Sequence, residues 1–503
     1  MLESLLLQHL DNLAKICHGP VTPLSFGRLK VIKVEKCDKL KNVFSFSLVK
    51  HLSQLEEIEV CDCKMMQEVV DESKDDDDEE KVARGCWECY STRKSLFCGP
   101  CIAGPERRQQ SDQISRTKRT PASRKRVVEL ANLRHLTLRD LPEIKTLFTR
   151  ANLQKPQEIA LDIFLDGHQV WLPKLQSLDI YRLPKLKVLL SRSETEPSMG
   201  LTMSNLQSLE VRSCHELSKV FDSNLLMELQ SLESLEIMHC NTLTEVFNLK
   251  GINTKRGSNV GILPQLSEIS LDCLPKLSCI WSKCPRGEVA AFQNLRELTV
   301  SSCGELRYLF TPSMAKATAK LTELDVDCCG KMEAIIMDED HGKMKSASSC
   351  NIKEFPSLKV LEIFDCRKLK EFYSIKGDSN PTFRFPLCCG EKERDHHQVA
   401  VNSTKTVFFN RMVLLPRLMV MTLHGVGDFE KIWDNNELPE TETSSNFSKL
   451  ETVSVGGCKK LRTVFPLTST EKRWQNLKEV DIGPFEFLES VFEVDVNGRG
   501  ALR

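Results

Sequence analysis

No apolar run in this chain approaches the roughly twenty residues that a bilayer-spanning helix needs. The opening residues, MLESLLLQHLDNLAK, lack a positively charged start, so no secretory signal is expected either. Charge of one sign is also lacking. Lysine and arginine number 69 against 70 aspartates and glutamates, and the net charge of −1 argues against general affinity for nucleic acid or membrane. The motifs of nucleotide and hydrolytic chemistry are missing: there is no GxxxxGK(S/T) phosphate loop, no GxSxG elbow and no HExxH pair. Together these absences point to a chain of the cytosol or nucleus that is no enzyme and carries no cofactor. Cysteine is too sparse to staple a fold, since 21 in 503 residues lies below the density of a disulfide scaffold.

What is present is a repeat. In FQNLRELTVSSCGELRYLF, Phe292 to Phe310, set Leu295 as position zero. Leu298 then stands at +3, Val300 at +5, Cys303 at +8 and Leu306 at +11, with Leu309 and Phe310 closing the block. Residues two apart share one face of an extended strand, so Leu298 and Val300 face one way while Glu297, Thr299 and Ser301 face the other. Past the strand the apolar spacing widens to three, and the chain turns at Cys303 back into the same interior. Zero positions recur at Leu2, Leu29, Leu55, Leu133, Leu175, Leu206, Leu232, Leu266, Leu295, Leu321, Leu358, Leu418, Leu450 and Leu477, each with apolar residues at +3 and +5. Position +8 is cysteine in eight copies: Cys37, Cys63, Cys214, Cys240, Cys303, Cys329, Cys366 and Cys458. Small and weakly polar, these cysteines fill the turn after the strand and are expected to be reduced and structural. The pattern is the LxxLxLxx(N/C)xxL of leucine-rich repeats. The fold expected is an α/β solenoid, a horseshoe of about fourteen coils with a parallel sheet on its concave face and irregular or short helical segments on the convex side. A solenoid grows by adding coils, so this length does not require several globular domains.

The expected layout has repeats over 1–70, a charged insertion over 71–126 and repeats over 127–503. The chain starts inside a coil with no polar cap, which suggests a preceding domain or a truncated product. The insertion opens with DESKDDDDEE, a self-repelling solvated run, and continues through basic clusters such as Arg124, Lys125 and Arg126 that resemble a nuclear-localisation patch. Between them Cys86, Cys89, Cys98 and Cys101 form two CxxC pairs that could hold one tetrahedral zinc. Their gap is shorter than that of a zinc ribbon and no strand or helix pattern supports it, so a disordered surface loop is the favoured reading. His396 and His397, beside Cys388 and Cys389, read as a chance cluster. Trp281, Trp433 and Trp474 fall on apolar repeat positions and read as core. Helical return segments are expected from Ser47, Asn224 and Pro312, and irregular ones after Leu141, Leu183 and Leu274.

Function should then lie on the polar face of the strands. Position +4 runs Lys33, Glu59, Thr137, Asp179, Glu210, Glu236, Ser270, Thr299, Asp325, Glu362, Thr422, Ser454 and Asp481. Seven of these are acidic and one is basic, and Glu268, Asp272, Glu297, Glu323 and Asp327 flank them. Parallel strands lie about 5 Å apart, so the carboxylates should form a stripe. It reads either as a solvated face or as a site for a protein with a basic surface, with Glu210, Glu236, Glu268, Asp272, Glu297, Glu323, Asp325, Asp327 and Glu362 as the contacts.

The combination LxxLxIxxCxxLxxVF, as in LQSLEVRSCHELSKVF from Leu206 and LETVSVGGCKKLRTVF from Leu450, resembles the repeat region of plant coiled-coil nucleotide-binding leucine-rich-repeat immune receptors. FTPSMAKATAKL from Phe310 and the pairing of Cys-type with Leu-Pro coils are similar too. The resemblance covers nearly everything outside 71–126. It implies a sensor that recognises a pathogen effector or a guarded host protein. The coiled coil and nucleotide-binding domain are missing, so any such domain would act in trans, and ATP should be neither bound nor hydrolysed. A general scaffold, decoy or enzyme inhibitor on the same fold is the alternative.

Overall fold

The computed structural model describes residues 2–17, 26–71, 127–144, 169–190, 203–221, 225–250, 261–282, 291–338, 353–375, 406–410, 413–433, 446–467 and 474–494. Most coils begin with a turn closed by the anchor leucine. The Leu295 N–H, for example, donates to the Phe292 carbonyl at 3.1 Å, and the chain leaves this turn extended. Among the described residues fourteen strands lie in these coils: Ser4–Gln8 (β1), Val31–Glu35 (β2), Glu57–Cys61 (β3), His135–Arg139 (β4), Ser177–Tyr181 (β5), Ser208–Arg212 (β6), Ser234–Met238 (β7), Glu268–Asp272 (β8), Glu297–Ser301 (β9), Glu323–Asp327 (β10), Val360–Phe364 (β11), Val420–His424 (β12), Thr452–Gly456 (β13) and Glu479–Ile482 (β14). They form one parallel sheet in chain order. The solenoid of leucine-rich repeats read from the sequence is therefore the observed architecture.

The register never slips. Position +4 lies opposite +4 from Leu6 and Lys33 at one end to Ser454 and Asp481 at the other. Across the long insertion β3 pairs directly with β4, Glu57 opposite His135. A slip of one residue would turn every inward side chain to water, so the leucines themselves enforce this alignment. Leu298 and Val300 are 1% and 0% exposed, whereas Glu297 and Thr299 between and beside them are exposed. Cys303 and Leu306 complete the same interior. Burying each leucine contributes roughly 1.5–3 kcal/mol, and the stacked coils supply the cover that one coil cannot.

After the strand the residue at +7 adopts a left-handed backbone in coil after coil: His239 at φ 55°, Cys273 at 53°, Ser302 at 55°, Cys328 at 53°. Its N–H donates to the +6 carbonyl of the next coil, as His239 does to Asp272 at 3.0 Å, which extends the sheet hydrogen bonding into the turn. The +8 residue then enters the core.

The return side differs in part from expectation. After Leu183 and Leu274 the chain is not irregular but forms short strands, Val188–Leu190 and Cys279–Ser282, which pair in parallel with Lys219–Phe221 and Glu245–Asn248. The β-branched and aromatic closing residues are the cause, because they favour extended backbone where the next coil offers a partner. Residues 145–168, after Leu141, lie outside the described set. Helix includes a turn at Phe46–Val49 (α1), a 3-10 turn at Leu225–Met227, and Pro312–Ala317 (α2). Thr311 caps α2, its hydroxyl accepting the Met314 N–H at 3.4 Å, and Pro312 suits the first turn. Aromatic rings line up beneath this side: Phe247 stacks on Trp281 at 5.3 Å and Phe409 on Trp433 at 5.3 Å. The indoles of Trp281 and Trp433 donate to the carbonyls of Leu309 and Val464, so both are satisfied core residues, while Trp474 is half-buried.

Candidate functional site

The constant register converts three strand positions into three columns on the open face. At +2, Glu268, Glu297 and Glu323 stand side by side. At +4, Asp325 lies opposite Glu362, and at +6, Asp272, Ser301 and Asp327 follow one another. Four adjacent strands, β8 to β11, thus carry seven carboxylates with lateral steps of about 4.8 Å. Burial, reinforced by Glu362 and Asp327, pushes the Asp325 carboxyl above the usual carboxylate range. One of its oxygens is buried with no hydrogen-bond partner. Thr422 donates to Glu362 at 3.4 Å.

Glu210 and Glu236, on β6 and β7, behave differently. The Arg212 guanidinium sits between them, in contact with Glu210 and 2.7 Å from Glu236. Further toward β1, Lys33 bridges Glu57 at 2.7 Å and Glu59 at 2.8 Å, which raises the lysine and holds Glu59 below its ordinary value. Arg139 stacks over the Tyr181 ring at 4.6 Å. The stripe is therefore two zones: on β2 to β7 Lys33 and Arg212 pair with its glutamates while Asp179 is held by the hydroxyls of Thr137 and Ser177, and β8 to β11 stay acidic. The residues that divide it, Arg139, Tyr181 and Arg212, all stand at +6. Their signal was available from the same arithmetic, two positions further along.

On β12 to β14, His424 Nε2 lies 2.7 Å from Ser454 Oγ, whose hydroxyl donates to Asp481 at 3.0 Å. Serine is the middle member, so the imidazole does not stand between nucleophile and carboxylate as a hydrolytic triad requires. Cys86, Cys89, Cys98 and Cys101 lie outside the described residues, as do His396 and His397. No described helix is long and apolar enough to cross a membrane.

A continuous parallel sheet with a sealed interior and a polar open face defines a leucine-rich-repeat solenoid, a fold typical of protein-binding scaffolds. Residues 1–92, 193–330 and 398–501 match the sequence model of plant disease resistance protein RPS2-like leucine-rich repeats, and the chain belongs to that family. No curated protein matches it. Among solved structures it is similar to an internalin from Listeria monocytogenes, with 12% identity over 71% of this chain and 85% of that one, at a TM-score of 0.25. It is also similar to TLR13 in complex with ssRNA13, with 14% identity over 95% of this chain and 65% of that one, at a TM-score of 0.23. The mouse RP105/MD-1 complex gives 12% identity over 95% and 78%, at 0.20.

Proposed function

We propose that this chain is a recognition module of plant immunity that binds a partner protein through the open face of its sheet. The partner is a pathogen effector or a guarded host protein with a lysine- or arginine-rich surface, met in the cytosol or nucleus. A nucleotide-binding domain supplied in trans is a second partner consistent with the family. The observation that carries this reading is the acidic zone on β8 to β11: Glu268, Asp272, Glu297, Glu323, Asp325, Asp327 and Glu362, none in an ion pair with a described residue. Like charges held about 5 Å apart raise the free energy of the unbound face, and a basic surface would lower it. Glu210 and Glu236 sit at the edge of that zone, where Arg212 already offsets them.

The test is a partner identified by cross-linking in plant extract and then measured against purified chain. Glu297→Lys with Glu323→Lys should weaken binding at least tenfold, and rising salt should weaken wild-type binding. Unchanged affinity in the double variant, or affinity indifferent to salt, removes the acidic zone from the interface.

A further inference from the structure

At one rim of the open face, where β7 and β8 turn into the core, three unlike ligand groups meet. The His239 imidazole, the Asp272 carboxylate and the Cys273 thiol offer nitrogen, oxygen and sulfur atoms that all lie within 4.8 Å of one another. Two features of the coil bring them there. His239 and Cys273 are the left-handed +7 residues of adjacent coils, so the ladder bond from His239 N–H to the Asp272 carbonyl, 3.0 Å, sets them alongside. Asp272 is the last residue of β8 and precedes Cys273 directly.

We propose that His239, Asp272 and Cys273 form a zinc-binding site on this rim. Zinc takes thiolate, imidazole and carboxylate at about 2.0–2.3 Å, which in a tetrahedron puts ligand atoms roughly 3.5 Å apart. Small rotations of exposed or half-buried side chains close the remaining distance. Magnesium and calcium prefer all-oxygen shells, and the imidazole and thiolate select against them. On binding, the thiol proton is released to solvent and the thiolate takes its place on the metal. Three protein ligands leave a fourth position for water, as in zinc sites that stay open.

A second rim cluster two coils on, Asp327, Cys328 and Asp365, takes its third group from the following coil instead of the preceding one, has no imidazole, and leaves Cys328 and Asp365 exposed. It serves as an internal control. The experiment is calorimetric titration of the reduced, chelator-stripped full chain with zinc chloride, with far-UV circular dichroism on every variant. Removing even a group that hydrogen-bonds a metal ligand weakens binding about tenfold to a hundredfold. His239→Ala and Cys273→Ser should therefore each weaken one zinc equivalent by about a hundredfold or more. Cys328→Ser, and the pair Cys86→Ser with Cys89→Ser, should retain that equivalent. His239 is exposed, so its variant keeps the test open if Cys273→Ser fails to fold. No zinc bound by the wild type, isotherms of His239→Ala that match it within twofold, or loss confined to the two control variants would each overturn the proposal.

Discussion

At position +8 the cysteines donate to backbone carbonyls, and Cys63 accepts as well. Cys63 Sγ donates to the Cys61 carbonyl two residues back, at 3.2 Å, and accepts the N–H of Cys37 from the preceding coil at 3.4 Å. The buried backbone of the turn is thereby satisfied by sulfur. Cys63→Ala strands that N–H and should cost about 1–3 kcal/mol, read as a fall in urea midpoint. Cys63→Ser keeps donor and acceptor and should cost less; equal losses would deny the sulfur its role. Burial also raises these thiols, Cys63 and Cys240 to about 11 and Cys214 and Cys458 to about 12, from a model-peptide value of 9.0. The neutral form is favoured in the fold, so its stabilisation is complete below pH 9 and is lost between pH 9 and 12. Each such thiol should lower stability by about 1.4 kcal/mol per pH unit in that window. Urea midpoints measured at pH 8 and pH 10.5 check it, and equal midpoints would count against the buried stack. The position of the cysteines was readable from spacing alone. Their hydrogen bonds were not, because those depend on a neighbouring coil 26 residues away.

The element that repeats is the coil, and its glycines show how tightly coils approach. A Cβ added at Gly427 would stand 1.7 Å from the Leu369 carbonyl oxygen of the previous coil, whereas at Gly330 it would meet nothing within 4 Å. Gly427→Ala should therefore destabilise by about 1–3 kcal/mol or more, and Gly330→Ala should stay within about 0.5 kcal/mol of wild type. Thermal unfolding of the two variants separates them; similar melting temperatures would contradict the close approach. Strand periodicity made β1 to β14 legible, since Leu298 and Val300 announce a strand regardless of context. The left-handed +7 residue escaped notice because His, Lys, Asp, Arg, Ser and Cys occupy it, with Gly425 and Gly457 the overt glycines. The return-side strands were missed for a related reason. Segments such as Cys279–Ser282 are three to five residues long and become strands only because the next coil offers a partner.

For the molecule as a whole, one register shared by fourteen strands joins a greasy interior to a charged face, and neither exists without the other. Leu298 in β9 has buried counterparts in both neighbouring coils, Ile269 and Leu324, while Thr299 beside it stands exposed between Ser270 and Asp325. The acidic face was legible as a set of residues; its division by Arg212 was not, because ion pairing depends on side-chain reach across strands. The most direct measurement places the same charge on either side of the sheet: equilibrium urea unfolding and limited proteolysis of Leu298→Lys and Thr299→Lys in the full chain. Leu298→Lys should lose several kcal/mol and expose the adjacent coils to protease, because it buries a charge without a partner. Thr299→Lys should remain within about 0.5 kcal/mol of wild type. Equal stability of the two variants, or a larger loss at Thr299, would contradict the account.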